Sequence, residues 1–417
     1  GSVFIMMVTV NPLPQITNIT HDVCSESQFE ILPVNGINGV VPAGTTYSWG
    51  LPAVVTNITG YTSGTSQNTI IGMLQNDTTV YRNVLYQVVP AFDRCEGSPF
   101  DITVKVKPIP VIPSQNAKVC SGVDFTFLSQ NIINGKIPDH TLYSWPNPTN
   151  SGGIVGMNGA QNGVTQIRDT FFNNVNAVAT VTYFITPSTD GCNGIPFNTI
   201  VAVNPAAKIN SIEYSICSGS PFSLKPSNGS IPPNTTYSWS EPSYSGVTGT
   251  TSGVNQDSIH NNPVNSTLQP VVLPYHVIPT SGSCVGNLFN VNVTVYPTPL
   301  VNHVADQQVC HNNEVVINFS SPTMQPGRSY YWKNNNPVIG LDSSGRDNIS
   351  FTAHSTEGSK PDTAIVSVYS TYTLPEAEVC KGNMVDFQII VAPALSVRMR
   401  DNIRSWPFWM VECLLMC

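Results

Sequence analysis

The sequence predicts an all-β protein, a tandem array of four β-sandwich domains that form an extended rod. The composition, a repeat of about 95 residues and short proline-rich joints lead to this prediction. Only 10% of the 417 residues are charged, while Gly (30) and Pro (34) are frequent. Such a composition favours strands and tight turns over amphipathic helices.

A Cys–Trp–Cys pattern recurs four times along the chain. The first cysteine of each repeat follows the previous one after 93 to 97 residues, and the tryptophans follow one another after 93 to 96. This period matches an independent sandwich domain and exceeds the ~20–50 residues of solenoid repeats. We therefore assign repeat 1 to residues 15–110, repeat 2 to 111–207, repeat 3 to 208–300 and repeat 4, which diverges in its middle, to 301–393.

The first fourteen residues, GSVFIMMVTVNPLP, match the end of a repeat. Gly1 and Phe4 align with Gly97 and Phe100, and with the same positions of repeats 2 and 3. Residues 1–14 are therefore expected to be the final strand of a preceding, truncated repeat. Such an orphan strand could complete a neighbouring subunit by strand addition. The candidate residues for strand addition are Phe4, Met6, Val8 and Val10.

Residues 394–417 match nothing earlier in the chain. This aberrant tail carries Arg398, Arg400 and Arg404, followed by an apolar end with Cys413 and Cys417. A membrane-surface anchor and a partner-docking segment are two interpretations. Because the composition differs so sharply from that of the repeats, we favour an out-of-frame or vector-derived end.

A Tyr-x-Trp motif lies in the middle of each repeat. Residues i and i+2 of a strand share a face, so the tyrosine and the tryptophan are expected side by side in the sandwich core. An exposed aromatic platform for sugar rings is the alternative. The predicted core aromatic residues are Tyr47, Trp49, Tyr143, Trp145, Tyr237, Trp239, Tyr331 and Trp332.

Eight of the ten cysteines are regularly spaced, as expected for structural disulfides formed in an oxidising, extracytoplasmic compartment. We expect bridges within each repeat, at one end of the sandwich. Free thiols and bridges between neighbouring repeats are the alternatives. The expected pairs are Cys24/Cys95, Cys120/Cys192, Cys217/Cys284 and Cys310/Cys380.

The joints between repeats read NPLP, KPIP, NPAA and YPTP. Short proline-rich segments act as semi-rigid spacers, which is why the array is predicted to be a rod.

Residues typical of catalysis or of cofactor binding form no known motif in this sequence. The seven histidines occupy no common repeat position, and no zinc spacing, phosphate loop or nucleophile motif is present. We therefore predict no enzyme, no metal and no cofactor. The formal charge of −8 argues against nucleic acid and against an anionic membrane. The sequence shows neither a signal peptide nor an apolar run of ~18 residues, the length of a membrane helix.

The repeat resembles the PKD-like repeats of very large secreted proteins of Bacteroidota, many of them gliding-motility-type surface adhesins. The opening motif is Cys-Ser at Cys24 and Cys-Ser-Gly at Cys120 and Cys217, and Cys-x-Gly closes each of the first three repeats. The Trp-Asp-Phe-Gly-Asp-Gly string of ordinary PKD domains is missing. This resemblance implies that the four domains are Ig- or PKD-like β-sandwiches. It also implies an extracellular location on a bacterial cell surface.

Together these features predict a structural and adhesive segment, a stalk or filament part, without catalysis. Its expected partners are other copies or repeats of the same protein and, less directly, surface glycans. Two alternatives remain open at this stage. One is a carbohydrate-binding accessory module, and the other is a self-assembling extracellular fibre subunit that uses strand 3–10 between subunits.

Overall fold

The computed structural model describes residues 3–393 except 9, 128–134, 324–326, 357–359 and 376. The tail 394–417, including Cys413 and Cys417, lies outside the described residues. Within them the secondary structure is β-strand, apart from one 3-10 turn at Pro337–Ile339. The predicted all-β fold class is confirmed.

The strands fall into four similar series, one for each repeat. Repeat 1 contains β1 (Gln15–Ile16), β2 (Ile19–Cys24), β3 (Gln28–Ile31), β4 (Gly39–Val40), β5 (Thr46–Trp49), β6 (Ile58–Thr59), β7 (Gly64–Gln67), β8 (Ile70–Met73), β9 (Gln75–Asn76), β10 (Arg82–Phe92), β11 (Cys95–Glu96) and β12 (Phe100–Lys107). Repeat 2 contains β13 (Gln115–Cys120), β14 (Asp124–Phe127), β15 (Leu142–Trp145), β16 (Thr149–Asn150), β17 (Ile154–Val155), β18 (Gln161–Val164), β19 (Ile167–Thr170), β20 (Phe172–Asn173), β21 (Ala179–Thr189), β22 (Cys192–Asn193) and β23 (Phe197–Asn204).

The second half of the chain repeats this series. Repeat 3 contains β24 (Lys208–Ile209), β25 (Ile212–Cys217), β26 (Phe222–Leu224), β27 (Gly229–Ser230), β28 (Thr235–Trp239), β29 (Val247–Thr248), β30 (Gly253–Gln256), β31 (Ile259–Asn261), β32 (Val264–Asn265), β33 (Val271–Ser281), β34 (Cys284–Val285) and β35 (Phe289–Tyr296). Repeat 4 contains β36 (Gln307–Cys310), β37 (Glu314–Ile317), β38 (Ser329–Asn334), β39 (Ser344–Arg346), β40 (Ile349–Thr352), β41 (Asp362–Thr373), β42 (Val379–Lys381) and β43 (Val385–Ala392).

Each repeat has one large sheet with the same order. In repeat 1 this order is β2-β12-β10-β5-β7, and β11 extends β10 as a hairpin. The last long strand, β12, runs antiparallel to β10 but parallel to β2. The equivalent strands β23, β35 and β43 make the same pair of contacts, and we call these four the closing strands. Short ladders such as β3–β8 and β6–β9 form the second layer.

The core of each sandwich lies between these two layers. Along β12, side chains alternate between buried and half-buried, as a strand with one face on the core requires. Phe29 from β3 and Ile70 from β8 meet this face in a single apolar cluster. Repeats 2, 3 and 4 each have an equivalent cluster.

The Tyr-x-Trp residues lie inside these cores in the first three repeats, where Tyr47 and Trp49 are 1% and 6% exposed. They therefore offer no surface platform for sugar rings. A glycine on the neighbouring strand makes room for the indole in repeats 1, 3 and 4, because a Cβ at Gly64, Gly253 or Gly345 would collide with it. Each of these glycines can therefore be replaced by a larger residue only if the indole moves.

The prediction was wrong for Tyr331 in repeat 4. Tyr331 directly precedes Trp332, so the two side chains point to opposite faces of β38. Tyr330, two residues before Trp332, packs against the core instead. Tyr331 is half-buried on the outer face, where it stacks on Tyr369 with ring centroids 5.6 Å apart.

The chain divides into two compact units, residues 1–206 and 207–417. The first unit contains repeats 1 and 2, and the second contains repeats 3 and 4. We describe each unit by itself, and the rod shape and the repeat boundaries stay predictions.

Candidate functional site

Two disulfides join neighbouring repeats, so the predicted pairing within repeats was wrong. Cys24 of repeat 1 is bonded to Cys192 of repeat 2, with Cα atoms 5.6 Å apart. Cys217 of repeat 3 is bonded to Cys380 of repeat 4, with Cα atoms 5.4 Å apart. In both cases the first cysteine of one repeat meets the second cysteine of the next. We call the two places where this happens the first joint (repeats 1 and 2) and the second joint (repeats 3 and 4).

The strand directions explain why the two cysteines of one repeat do not pair. Cys24 ends β2 and lies beside Lys107, the last residue of the closing strand. Cys95 lies in the β10–β11 hairpin, before the closing strand begins. Eight residues of β12 separate these two positions, a distance of roughly 23 Å at ~3.3 Å per residue. A disulfide needs Cα atoms within ~7 Å, so Cys24 and Cys95 cannot be bridged.

The remaining cysteines divide into bonded and free. Cys120, Cys284 and Cys310 are also disulfide-bonded. Cys95, which was predicted to be bridged, is a free and exposed thiol. It occupies the same hairpin position in repeat 1 that Cys192 and Cys380 occupy in repeats 2 and 4.

A close backbone contact accompanies the disulfide at each joint. The Pro110 carbonyl oxygen of the first joint lies so near Gly194 that a Cβ there would collide with it, and Pro299 approaches Gly382 in the same way at the second joint. The Gly of the Cys-x-Gly motif is therefore needed for this approach rather than for an unusual backbone angle. The motif marks the surface on which the linker from the previous repeat rests.

Polar contacts complete the first joint. The Lys136 ammonium of repeat 2 donates to the Asn76 carbonyl oxygen of repeat 1 at 3.1 Å and lies 3.3 Å from the Asp77 carboxylate. The Lys136 side chain is 16% exposed, whereas that of Asp77 is 76% exposed. Ion pairs open to water on one side contribute little net stability, so the disulfide is the main connection here.

Aromatic contacts complete the second joint. Tyr372 and Leu374 of repeat 4 form a small apolar cluster with the Cys217–Cys380 bridge, and Tyr296 of repeat 3 packs against it. The Tyr372 hydroxyl donates to the Pro297 carbonyl oxygen, and its ring lies 5.8 Å from that of Tyr296. Burial raises the pKa of Tyr372 above its ordinary value, because the charged phenolate would lose its hydration.

A buried asparagine lies beneath the first cysteine in repeats 1, 2 and 3, and the sequence analysis missed it. In repeat 1 the Asn76 amide nitrogen donates to the Val80 and Val106 carbonyl oxygens, both at 2.9 Å. Its backbone N–H donates to the Ser25 hydroxyl oxygen at 2.9 Å, which explains the serine of the Cys-Ser motif. Asn173 and Asn265 make the same contacts in repeats 2 and 3. Their recurrence at 76, 173 and 265 was the available signal.

The strand-addition candidates lie outside any strand. Phe4, Met6, Val8 and Val10 are between 70% and 89% exposed and carry no strand assignment. Their counterparts in β12, from Phe100 to Val106, are almost fully buried. The segment therefore has the sequence of a closing strand without the contacts of one.

A cleft in repeat 2 is bordered by two carboxylates and an arginine. Asp124, Arg168 and Asp169 border this cleft. Each carboxylate already has a partner, because Asp124 accepts from the Thr170 hydroxyl at 2.6 Å and Asp169 accepts from the Tyr183 hydroxyl and the Asn158 N–H. Desolvation and the adjacent Asp169 carboxylate raise the pKa of Tyr183. Both carboxylates of this cleft are therefore hydrogen-bonded within the repeat, as expected for polar groups with a structural role.

Two further searches cover the described part of the chain. No group of three or more His, Cys, Asp or Glu residues there has a geometry that could hold a metal ion. No helix in that part has both the length and the apolar character required to span a bilayer.

Comparison with known proteins places the repeats in a family. Several solved structures resemble the chain at low identity: the human desmocollin-1 ectodomain (11% identity, 90% of this chain and 80% of that one, TM-score 0.26), an I-band fragment of titin (9%, 67% and 96%, 0.30) and the insect immune protein hemolin (11%, 92% and 100%, 0.25). No curated protein matches the sequence. The model of the PKD-like domain matches residues 21–110, 117–207 and 214–299, which together are more than half of the chain. The chain belongs to the PKD-like domain family.

Proposed function

We propose that this chain is a structural and adhesive segment of an extracellular protein, and that its joints carry tension through disulfides. The Cys24–Cys192 bridge, which crosses from one repeat to the next, is the observation that carries the proposal. Disulfides are typical of extracellular proteins, because thiols are kept reduced in the cytosol. The proposed role needs no turnover and no cofactor.

The bridge defines a covalent route through the first unit. A pulling force applied to the two ends of this unit runs along β2 to Cys24, crosses the disulfide to Cys192 and leaves along β23. The residues between the two cysteines, which include most of both cores, lie outside this route. The Cys217–Cys380 bridge provides the same route through the second unit, along β25 and β43.

We further propose a bacterial cell surface as the location, with other repeats of the same protein as neighbours. The resemblance of the Cys-Ser-Gly, Tyr-Ser-Trp and Cys-x-Gly motifs to repeats of Bacteroidota surface proteins supports this location. A stalk or filament part would use the joints in series, so that each disulfide limits how far a loaded segment extends.

Single-molecule pulling of the full chain tests the mechanical role. Handles are attached through unnatural amino acids at positions 13 and 206, so that force acts on the first unit alone. The Cys24–Cys192 bridge closes 168 residues, which hides about 55–60 nm of extended chain at ~3.4 Å per residue. We expect this length to be released only after reduction.

The matched control is the Cys24→Ser/Cys192→Ser double variant, which should release the hidden length without a reductant. Handles at 208 and 393 on the same double variant should leave the second unit locked by Cys217–Cys380. Release of the full length from the oxidised wild-type chain, or recovery of a Cys24–Cys95 peptide, would disprove the proposal.

A further inference from the structure

The free thiol of Cys95 lies at a hairpin position where repeats 2 and 4 have a disulfide-bonded cysteine. Cys192 and Cys380 occupy the same hairpin position, and each is bonded to the first cysteine of the repeat before it. Cys95 is exposed and free. The β10–β11 hairpin therefore presents a second cysteine of the joint type, and among the described residues no cysteine is bonded to it.

The backbone around Cys95 has the geometry of a joint as well. The Pro14 carbonyl oxygen lies against Gly97, as the Pro110 and Pro299 oxygens lie against Gly194 and Gly382. The Asn11 side-chain amide donates to the Asp93 carboxylate at 2.6 Å, which holds the segment against the hairpin that carries Cys95.

The position of Asn11 fixes where an incoming cysteine would stand. At each of the two described joints, one linker residue contacts the Cys-x-Gly glycine. The first cysteine lies beside the residue that is three positions before this linker residue. Cys24 lies beside Lys107, three residues before Pro110, and Cys217 lies beside Tyr296, three residues before Pro299. Asn11 stands three residues before Pro14. A strand paired with the segment up to Asn11 would thus bring its terminal cysteine next to Cys95.

The segment before Asn11 has the sequence of a closing strand, which is the kind of strand that the second strand of a sandwich pairs with. Phe4, Met6, Val8 and Val10 correspond to Phe100, Ile102, Val104 and Val106, which are at most 3% exposed in repeat 1. Phe4 and Val10 are 89% and 86% exposed. Val3, Ile5 and Met7 are also apolar and at least 80% exposed. Contiguous apolar side chains left in water mark an interaction surface.

We propose that Cys95, together with Phe4, Met6, Val8 and Val10, forms a docking surface for one further PKD-like sandwich. This partner takes residues 4–10 as its closing strand and forms a disulfide to Cys95 from the cysteine that ends its second strand. The Sγ–Sγ bond forms as two thiols lose two protons and two electrons. A small-molecule disulfide such as oxidised glutathione accepts both and leaves as two thiols.

A second folded copy of this chain does not fit the surface. Its Cys24 and Cys217 are already bonded, and its β2 and β25 already pair with closing strands of their own. The partner must instead be a sandwich that lacks a closing strand and has a free thiol. The docking surface therefore acts on a partner that the two described joints do not involve, and it does not depend on their mechanical role.

A fusion supplies such a partner. Gly1 and Phe4 align with Gly286 and Phe289, so an added copy of residues 208–285 joined directly to Gly1 gives a repeat whose closing strand is residues 4–10. The added copy carries Cys284→Ser, so the copied Cys217 is its single cysteine. Trypsin cleaves after Arg94 and Lys105, which isolates Cys95 in a peptide of its own.

In the oxidised fusion, alkylation of Cys95 should fall from near completion to below about one tenth, with the Cys95 peptide linked to the copied Cys217. Amide exchange over residues 3–8 should slow on the order of 100-fold or more. Met6→Asp in the fusion should restore alkylation, because a charge would face the core. Met7→Asp, on the opposite face, should not.

A second fusion checks that the added repeat can fold in this place. It joins residues 208–296, with their own closing strand, directly to Pro12. If this fusion folds and the first does not protect residues 3–8, or if Cys95 stays reactive in a protected first fusion, the proposal is wrong. Equal loss of Cys95 reactivity in the Met6→Asp fusion would show unspecific thiol exchange and would also overturn it.

Discussion

The two joints share one covalent connection and differ in nearly everything around it. At both, the first cysteine of one repeat is bonded to the second cysteine of the next, and a linker carbonyl rests on the Cys-x-Gly glycine. The first joint adds an ion pair that is open to water, whereas the second adds a buried tyrosine and a leucine. The disulfide and its glycine are thus the constant parts, and the non-covalent contacts vary.

The length of the hairpin and the residue opposite the second cysteine account for the difference. In repeat 2 the strands β21 and β22 are joined by a two-residue turn at Asp190 and Gly191, both with positive φ. In repeat 4 the turn between Thr373 and Val379 is longer and carries Leu374. The longer turn thus adds Leu374 to the bridge. Tyr372 pairs with Cys380 in the strand itself, where repeat 2 has Thr189 opposite Cys192.

Loss of the disulfides should have the largest effect and should separate the joints. For closed loops of 168 and 163 residues, the chain-entropy model gives about 5 kcal/mol each. We therefore expect Cys24→Ser/Cys192→Ser and Cys217→Ser/Cys380→Ser to lower the free energy of unfolding of their own units by similar amounts, measured by denaturant titration. Amide exchange should open the hairpin at the first joint but leave Tyr372 protected at the second. Equal opening at both joints would contradict the comparison.

The buried asparagine should be equally important at both joints. Asn76→Ala and Asn265→Ala each leave carbonyl oxygens and an N–H without a partner in the interior. The expected cost is about 2–3 kcal/mol in the free energy of unfolding. Asn83→Ala on the exposed face of β10 is the control and should change it little. A much smaller loss for Asn265→Ala than for Asn76→Ala would show that the common framework differs between the units.

Sequence periodicity predicted the sandwich but could not assign the bridges. Each repeat has one cysteine near its start and one near its end. The spacing of these cysteines along the chain is the same whether the first one pairs with the second cysteine of its own repeat or with that of the next repeat. What decides is that β2 runs parallel to β12, so that Cys24 lies at the far end of the sandwich from Cys95. The two parallel strands β2 and β12 lie at opposite ends of the repeat in sequence, so no short sequence pattern indicates that they pair.

The two other misses have physical causes of their own. Tyr331 directly precedes Trp332, and the alternation of a strand instead selects Tyr330 as the partner of Trp332 on the core face. Asn76 was passed over because asparagine is common in exposed turns, and only its recurrence with Ser25 marks it as buried.

The hydroxyl of Tyr372 should have a smaller and separable effect at the second joint. Tyr372→Phe keeps the ring beside Tyr296 and removes the hydrogen bond to the Pro297 carbonyl oxygen. We expect a loss of about 1 kcal/mol, measured by denaturant titration of the second unit. Tyr369→Phe, on the outer stack with Tyr331, is a control at a half-buried tyrosine pair away from the joint.

The same variant should alter the response to alkaline pH. Because burial raises the pKa of Tyr372 in the folded state, the folded protein keeps a proton that the unfolded chain loses. Stability should therefore decline as the pH rises above about 10, the ordinary value for tyrosine. The part of this decline that belongs to Tyr372 should disappear in Tyr372→Phe, whereas the other buried tyrosines, such as Tyr143 with its pKa raised to about 12, keep theirs. An unchanged profile would place the Tyr372 hydroxyl in water.

The ion pair of the first joint should have the smallest effect in the intact protein and a visible one without its disulfide. Lys136→Met removes the donor to Asn76 and the charge beside Asp77, for a loss of about 0.5 kcal/mol or less. Lys136→Gln can still donate to the Asn76 carbonyl oxygen and is the matched control. In the Cys24→Ser/Cys192→Ser background, Lys136→Met should speed amide exchange at the hairpin further, because this polar contact then supplies a larger share of the contact energy between the repeats. If exchange there is the same with and without Lys136, the contacts of the first joint do not hold the repeats, and the disulfide alone defines that joint.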